Sequence, residues 1–388
     1  MAAPVLNPAR LLVADSLPSP CYIIDEARLE NNLRLLAGVK RRTGCHILLA
    51  QKAYACPATY PLIGQYLQGT AASGLFEARL GKEEMGGEVH VFAAAYREDE
   101  FAELLQYADH IIFNSGNQLL KFGPQAKAAG KSCGLRVNPE FSTQDHAIYD
   151  PCAPGSRLGV RRADFDPAWL PLLDGLHMHT LCEQNSDALV QTVAALEANF
   201  GEFLPQMHWL NLGGGHHITR PDYDIATLEL CLLRLNQQYD LQLYLEPGEA
   251  VALNCGFLQP PVLDVLTPAN ADGLQIAILD ASAACHMPDV LEMPYRPPLQ
   301  NAAKPGALPH TYRLGGPTCL AGDVIGDYSF AQPLRPGDQL TFEDMAIYTM
   351  VKNNTFNGLP LPAIVLRDAA GEYRLHKSFG YADFKERL

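Results

Sequence analysis

A lysine stands where an apolar stretch ends, within the segment His46–Ala55. The apolar run Ile47–Ala50 is short, as is typical of a strand buried on both faces, and Lys52 comes two residues after its end. A lysine at such a place can extend its amine into solvent. It can also hold the amine in a partly dry pocket, where desolvation lowers its pKa and allows a Schiff base to form. The other residues with chemical potential favour the second interpretation.

Three further groups also follow apolar runs. His179 belongs to the segment H-M-H-T-L-C-E, Gly213–Gly215 is a run of three glycines, and Glu246 opens the segment E-P-G-E. Successive glycines let backbone N–H groups approach a phosphate, although a flexible turn is the alternative. A flat imidazole can pack on a flat ligand, or simply fill the core. A carboxylate at the end of an apolar strand needs a partner, either a basic residue or a protonated ring nitrogen.

These four groups occupy equivalent positions if the chain forms a barrel. Apolar runs alternate with helical patterns such as 98–107, 186–200 and 225–239. Eight such strands indicate a parallel (β/α)8 barrel of the TIM type, in which active sites lie at the carboxyl ends of the strands. The predicted strands are 47–51, 69–73, 89–93, 110–113, 133–138, 175–179, 209–212 and 242–245.

After about Gly256 helical periodicity fades, and short β-like runs separated by Pro and Gly predict a second, mostly β domain. These runs are 275–279, 311–314, 339–342 and 363–367. We expect the early strand 21–24 to pair into this second domain. The predicted organisation is therefore a barrel at 25–255, with 1–24 and 256–388 forming the β domain.

Composition excludes several classes of protein. The 388 residues carry a net charge of −14, which argues against nucleic acid as a partner. No apolar run is long enough to cross a membrane, and Met1–Leu12 lacks the pattern of a secretion signal, so the expected location is cytoplasmic. The ten cysteines show no C-x-x-C pair, which is consistent with a reducing compartment.

A lysine, a phosphate-binding glycine loop, a ring-stacking histidine and a carboxylate for a ring nitrogen together indicate pyridoxal 5'-phosphate. Lys52 would bind the cofactor covalently, and Glu246 would keep the pyridine nitrogen protonated, which suits loss of CO2 better than racemisation. His177 and His179 share a strand face and could form a metal pair. No carboxylate at matching spacing completes such a site, so we expect no metal.

Motifs in both predicted domains resemble those of the fold-III pyridoxal-phosphate decarboxylases of basic amino acids, which include ornithine and diaminopimelate decarboxylases. Several longer blocks, among them L-G-G-G-H-H and G-P-T-C-L-A-G-D-V-I-G-D-Y, are similar to the carboxynorspermidine decarboxylases of this group. The shared motifs are Q-K-A at Lys52, S-R-L-G at 156–159, His179, the glycines 213–215, E-P-G at Glu246, G-P-T-C at 316–319, A-I-Y-T at Tyr348 and F-N-G at 356–358.

The resemblance implies an alanine racemase-like fold and a head-to-tail homodimer with shared active sites. Lys52 would carry the cofactor, His179 would stack on its ring, and Gly213, Gly214 and Gly215 with Tyr348 would hold its phosphate. Cys319 of the other subunit would protonate the carbanion, and Asp323 would line the substrate pocket. From the residues alone, Cys319 is a thiol at a turn, and a structural role is its alternative.

One departure from the family pattern bears on the substrate. Glu249 stands where ornithine-type relatives usually have a phosphate-binding arginine, so it must point elsewhere or bind a cation such as a triamine nitrogen. Asp289 could supply a second carboxylate, whereas His216 and His217 leave the phosphate contacts there open. The resemblance implies decarboxylation of carboxynorspermidine, with carboxyspermidine as a second substrate. The alternatives are a decarboxylase of diaminopimelate, ornithine or arginine, and a non-catalytic relative.

Overall fold

The computed structural model describes residues 11–12, 16–144, 149–269 and 274–388. The prediction about a secretion signal concerns a segment that lies mostly outside these residues. The described chain divides into two compact units, one comprising Glu30–Val251 and the other the residues before Glu30 together with Ala252–Leu388. The sequence predicts residues 25–255 as the limits of the first of these units, the barrel.

The first unit is a closed barrel of eight parallel strands, which confirms the predicted (β/α)8 architecture. Each strand pairs with the next along the chain, and the last pairs with the first. The strands are short and mostly buried, as barrel strands covered by helices must be. They are His46–Ala50, Gly69–Ala72, Glu88–Phe92, His110–Phe113, Ser132–Arg136, Gly175–His177, Trp209–Asn211 and Gln242–Leu245.

Amphipathic helices surround the barrel. In Ile225–Tyr239, for example, the buried residues Leu228, Cys231, Leu232 and Leu235 recur at helical spacing, and Asp224 caps the first turn by accepting from the Thr227 amide. The α-helices of this part of the chain are Glu26–Thr43, Tyr60–Ile63, Leu75–Leu80, Glu98–Tyr107, Gly116–Ala128, Ser186–Phe200, Ile225–Tyr239 and Glu249–Ala252. A π-helical turn, Gly81–Met85, extends the third of them.

Four large side chains of the barrel strands form a buried apolar layer. They are Leu48, Ile112, Trp209 and Tyr244. The Trp209 indole lies where side chains at Gly134 and Gly175 would stand, since a Cβ at either glycine would come within 2.3 Å of the ring. Polar side chains stand where the barrel strands begin and where they end. The barrel therefore positions two separate polar clusters, one at each end of its strands.

The second unit consists mainly of two sheets, as predicted. The strand Cys21–Asp25 pairs with Gly256–Gln259 and Ala363–Arg367, which confirms its expected place in this unit. The predicted strand 339–342 is shorter in the structure, where Phe342–Glu343 is the paired segment. The six-stranded sheet has the order Leu11–Leu12, Tyr373–Lys377, Ala363–Arg367, Cys21–Asp25, Gly256–Gln259, Phe342–Glu343. The five-stranded sheet has the order Val262–Leu266, Gln275–Leu279, His310–Gly315, Val324–Phe330, Ala302–Ala303.

Four short helices accompany these sheets, namely Ala283–His286, Asp289–Glu292, Thr349–Lys352 and Tyr381–Lys385. Cys21, Ile23, Phe257 and Val365 form a buried core on one face of the six-stranded sheet. Among the described helices, none is long and apolar enough to cross a membrane.

Candidate active site

Glu246 is the buried acid at the carboxyl end of the last barrel strand. It is 9% exposed, and its two carboxylate oxygens have separate partners. Asn211 Nδ2 donates to Oε1 at 2.7 Å, and His177 Nε2 lies 3.3 Å from Oε2. These contacts arise because Asn211 is the register partner of both His177 and Tyr244. Burial alone would raise the pKa of Glu246, but the hydrogen bonds from His177 and Asn211 outweigh it and lower the pKa to about 2.

His177 therefore orients the acid. Burial lowers the pKa of its imidazole, and a neutral ring donates Nε2–H to the Glu246 carboxylate. The sequence had raised a metal pair with His179 as an alternative for this residue. The structure instead directs His177 to Glu246 and His179 to a backbone amide.

Arg136 is a buried cation that the sequence reasoning missed. It ends the fifth barrel strand, is 5% exposed, and donates from Nη2 to the His179 carbonyl at 3.0 Å. Its guanidinium lies 4.6 Å from the centre of the Phe92 ring. Burial lowers its pKa to about 10, and the charge of Glu246 opposes that shift. An arginine in a buried strand was the available signal, because such a charge needs a partner.

Lys52 lies just beyond the strand His46–Ala50. Its side chain is accessible to solvent, yet protein surrounds the amine closely enough to lower its pKa, first by desolvation and then through the charge of Arg136. A lowered pKa increases the share of neutral, nucleophilic amine. The Ala50 amide also donates to the Pro247 carbonyl at 3.2 Å, which ties the end of this strand to the loop that follows Glu246.

His179 follows the sixth strand and is half-buried. Its Nδ1 accepts from the Gly214 amide at 2.9 Å. Burial and the charges of Lys52 and Arg136 hold its pKa well below the usual value. The ring is therefore neutral, fixed in orientation and partly accessible, as a stacking platform must be.

The glycine run Gly213–Gly215 fits closely against its neighbours. Gly213 has φ +71°, and a Cβ there would come within 2.5 Å of the Met178 carbonyl oxygen. The Gly213 amide donates to Asn211 Oδ1 at 2.8 Å, and the Gly214 amide donates to His179. The expectation that all three amides are available to a phosphate therefore needs adjustment, because two of them already position Asn211 and His179.

Glu249 already has a histidine partner within the barrel unit. Its Oε2 lies 3.0 Å from Nε2 of His217, and both side chains are largely buried. The sequence left open whether this acid points elsewhere or binds a cation. The structure pairs it with His217, so a substrate ammonium would share or replace that contact.

The residues at this end of the barrel fit pyridoxal phosphate. The accessible amine of Lys52 has a lowered pKa, the His179 ring is neutral, and the ionised Glu246 carboxylate retains lone pairs for a further donor. The fit rests on this donor set and its charges, all contributed by residues after barrel strands.

Asp323 lies in the second unit and is 4% exposed. Its two oxygens accept from Ser282 Oγ at 2.9 Å and Thr318 Oγ1 at 2.7 Å. It therefore holds the loop Gly316–Cys319 in place. Its expected role in lining the substrate pocket stays a prediction.

Cys319 ends that loop and has an exposed side chain. Its amide donates to Asn357 Oδ1 at 2.7 Å, which links the G-P-T-C and F-N-G motifs. Asn357 has φ +57° and Tyr348 has φ +54°, both unusual for residues with a side chain. Such backbone strain persists where the surroundings enforce it, and it is common in functional loops.

Asp289 does not present a free carboxylate. It forms an ion pair with Lys352, which also pairs with Glu292. The lysine lies 63 positions further along the chain, so sequence reasoning could not anticipate the pair. A substrate contact by Asp289 stays a prediction and would have to compete with Lys352.

The sequence matches the protein family described as "Pyridoxal-dependent decarboxylase, C-terminal sheet domain" over residues 20–346. It is 44% identical to a carboxyaminopropylagmatine decarboxylase of Synechocystis sp., covering 96% of each chain. It is 41% identical to a carboxynorspermidine/carboxyspermidine decarboxylase of Campylobacter jejuni, over 96% of this chain and 99% of the relative.

A solved structure agrees with these sequence matches. The crystal structure of Campylobacter jejuni carboxynorspermidine decarboxylase in complex with norspermidine superposes with a TM-score of 0.89 at 40% identity. The match covers 96% of this chain and all of that one. Similarity therefore extends through both units.

Proposed function

The chain belongs to the family of pyridoxal-dependent decarboxylases, and from that premise we propose that it releases the α-carboxylate of carboxynorspermidine or carboxyspermidine as CO2. The products would be norspermidine and spermidine, which places the enzyme in polyamine synthesis. The observation that carries the proposal is the match over nearly the whole chain to a carboxynorspermidine decarboxylase that was crystallised with norspermidine.

The cofactor is pyridoxal 5'-phosphate, and the barrel end supplies the groups to hold it. Lys52 would bind its aldehyde carbon, His179 would stack on its ring, and Glu246 would accept a hydrogen bond from its ring nitrogen. The Gly215 amide and the strained Tyr348 are proposed for its phosphate. When bound, the cofactor withdraws the electron pair that the departing CO2 leaves behind.

The protein's own part in the reaction follows from its charges. The neutral amine of Lys52 would hold the cofactor, and the ionised Glu246 carboxylate would orient its ring nitrogen. The cofactor would supply the acceptor for the electron pair that remains when the bond from the α-carbon to the carboxylate breaks. Cys319 then gives a proton to the α-carbon, which replaces the lost carboxylate and leaves a thiolate that solvent reprotonates.

The preference for a triamine rests on charge. The substrate carries several ammonium groups along an extended chain, and the protein has a net charge of −14. Among the acids predicted for its pocket, Glu249 lies in the same unit as Lys52 and Glu246. Replacing a histidine partner by a substrate ammonium would keep its carboxylate paired.

Carboxyaminopropylagmatine is a second candidate substrate, because a relative named for it is 44% identical to this chain. Both candidate substrates carry a carboxylate beside a terminal amine, and both have a secondary amine further along their carbon chain. They differ at the far end, where agmatine has a planar guanidinium and the triamine has an ammonium. A planar guanidinium can donate two parallel hydrogen bonds to a carboxylate, whereas an ammonium is bound as a point charge. The arrangement of the acids at that end of the pocket would therefore favour one substrate over the other.

The active enzyme is proposed to be a cytosolic homodimer in which Cys319 of one copy serves the Lys52 site of the other. The resemblance in motifs supports the shared site. No disulfide joins any of the cysteines in the described part of the chain, which suits a reducing compartment.

A substrate panel tests the proposed function. Release of CO2 is measured from carboxynorspermidine, carboxyspermidine, carboxyaminopropylagmatine, diaminopimelate, ornithine, lysine and arginine, with Lys52→Ala as the inactive control. We expect the highest kcat/KM for carboxynorspermidine, followed by carboxyspermidine. The highest value for carboxyaminopropylagmatine would select the second candidate. Preference for diaminopimelate, ornithine, lysine or arginine would overturn both, and no release from any compound would favour a non-catalytic protein.

A further inference from the structure

A second polar cluster lies at the opposite end of the barrel, where the strands begin. Glu88 and His90 alternate on one strand and therefore point to the same face. His110 opens the next strand and is the direct register partner of His90. One ligand atom from each of the three residues lies within 4.8 Å of the other two.

The histidines of this cluster have unused hydrogen-bonding capacity. His90 is 1% exposed, and the Nδ1 atoms of His90 and His110 have no hydrogen-bond partner. Their rings stack at 3.8 Å with an angle of 13°. Buried polar atoms without partners are costly, so in a native core they usually indicate a function or a bound species.

The charges at this end also suit a cation. The Glu88 carboxylate has one oxygen 3.2 Å from His90 Nε2 and the other 3.3 Å from His46 Nδ1. A carboxylate oxygen and imidazole nitrogens are ordinary protein ligands of a divalent transition-metal ion.

We propose that Glu88, His90 and His110 bind a divalent transition-metal ion, with zinc as the best match to this donor set. Two imidazoles and a carboxylate are typical zinc ligands, and a tetrahedral site places them about 3.4 Å apart. The ligand atoms lie within 4.8 Å of one another and must draw closer to reach that geometry. The stacked rings of His90 and His110 must also turn apart, because a metal ion lies in the plane of each imidazole that binds it. His46 or water completes the coordination.

Solvent ions can reach the proposed metal site, which lies at the end of the barrel opposite Lys52 and Glu246. The side chains of Glu88 and His46 are each 27% exposed, which provides an entrance from solvent. Trp209 and Tyr244 of the apolar layer pack against the two histidines, with ring centroids 5.1 Å from His110 and 4.6 Å from His90. The metal therefore has a structural role, in that it clamps two neighbouring strands where the barrel begins. The expectation of no metal considered His177 and His179, not this cluster.

Metal titration of the holoenzyme tests the proposal. Protein treated with EDTA and dialysed is titrated with Zn²⁺ against a chromophoric chelator, and with Co²⁺ for its visible absorption spectrum. We expect one equivalent to bind, a tetrahedral Co²⁺ spectrum, and a higher melting temperature with Zn²⁺. Glu88→Gln and His90→Gln should each weaken Zn²⁺ binding at least tenfold, while the exposed His376→Ala should bind as the wild type does.

Glu88→Gln preserves the shape of the side chain, and circular dichroism checks that the variant folds. A loss of zinc binding in this variant can therefore be assigned to the lost carboxylate. The proposal is overturned if wild-type protein binds no zinc, or if Glu88→Gln and His90→Gln bind it as tightly as wild type. Either result would leave the cluster as polar side chains that only fill the start of the barrel.

Discussion

The amide of Asn211 lies 2.7 Å from the carboxylate of Glu246, and both side chains are buried at the carboxyl end of the barrel. Asn211 also accepts from the Gly213 amide, so one residue positions both the acid and the glycine loop. With His177 on the other oxygen, Glu246 is held ionised where a ring nitrogen would need it.

Asn211→Leu should destabilise the protein by about 1.5–3 kcal/mol, because it removes a hydrogen bond to a buried charge. Urea unfolding with the m-value held constant measures this loss. Asn117→Leu, on an exposed helical face, should change stability by no more than about 0.5 kcal/mol. Equal effects of the two substitutions would show that Asn211 does not stabilise Glu246.

Glu246 predicts a specific dependence of stability on pH. Its pKa falls from 4.5 to about 2 in the folded protein. A carboxylate with a depressed pKa stabilises the fold fully above its unfolded pKa and loses this contribution as pH falls through the folded value. The difference in unfolding free energy between wild type and Glu246→Gln should therefore shrink by about 3 kcal/mol from pH 5 to pH 2. A constant difference over this range would contradict the assignment.

Cys319→Ala should retain the visible absorbance of the bound cofactor but lose most of its normal turnover. Without a positioned acid, protonation at the α-carbon slows, and more turnovers end with loss of the amino group from the substrate. Chromatography of the products measures this share. Leu320→Ala changes an exposed neighbour in the same loop and should behave as wild type. Unchanged turnover and product purity in Cys319→Ala would leave this thiol structural.

Mixed variants test the proposed sharing of sites between two copies. Lys52→Ala and Cys319→Ala should each have little activity alone and recover part of it when mixed and allowed to exchange subunits. A mixed dimer holds one site with both residues intact, so about a quarter of the wild-type activity is the ceiling for random exchange between equal amounts. No recovery, with exchange confirmed by a size-tagged subunit, would place Lys52 and Cys319 in the same copy.

Glu249→Gln should raise KM for carboxynorspermidine by roughly 10- to 150-fold, the cost of about 1.5–3 kcal/mol for one charge-assisted contact. The absorbance of the bound cofactor should stay the same. Glu103→Gln removes an exposed charge on a helix and should leave KM unchanged, which controls for net charge. A normal KM in Glu249→Gln would mean that the carboxylate serves only His217.

The sequence was most informative where local pattern determines structure. The helices 98–107, 186–200 and 225–239 begin and end where predicted, because apolar spacing and capping residues act over a few neighbouring positions. The ends of parallel strands lie at one end of a barrel, so Lys52, His179, the glycine run and Glu246 could be assigned to a common site before any contact was known.

Contacts set by register and long loops could not be predicted in this way. Asn211 meets Glu246 only because neighbouring strands align it with Tyr244, and Lys352 reaches Asp289 through tertiary folding. The Glu88 cluster carried a readable signal in E-V-H, where alternation places both side chains on one face. Its third member, His110, lies on the adjacent strand, and only the register between the two strands brings it beside His90.

Borohydride reduction tests the central assignment most directly, because it fixes the cofactor to the lysine that holds it. Reduced holoenzyme is digested, and the modified peptide is identified by mass spectrometry. We expect a single labelled lysine, Lys52, and no label in Lys52→Ala. The exposed Lys121→Ala should be labelled as wild type is. A cofactor found on any other lysine would contradict the organisation of the site around Lys52.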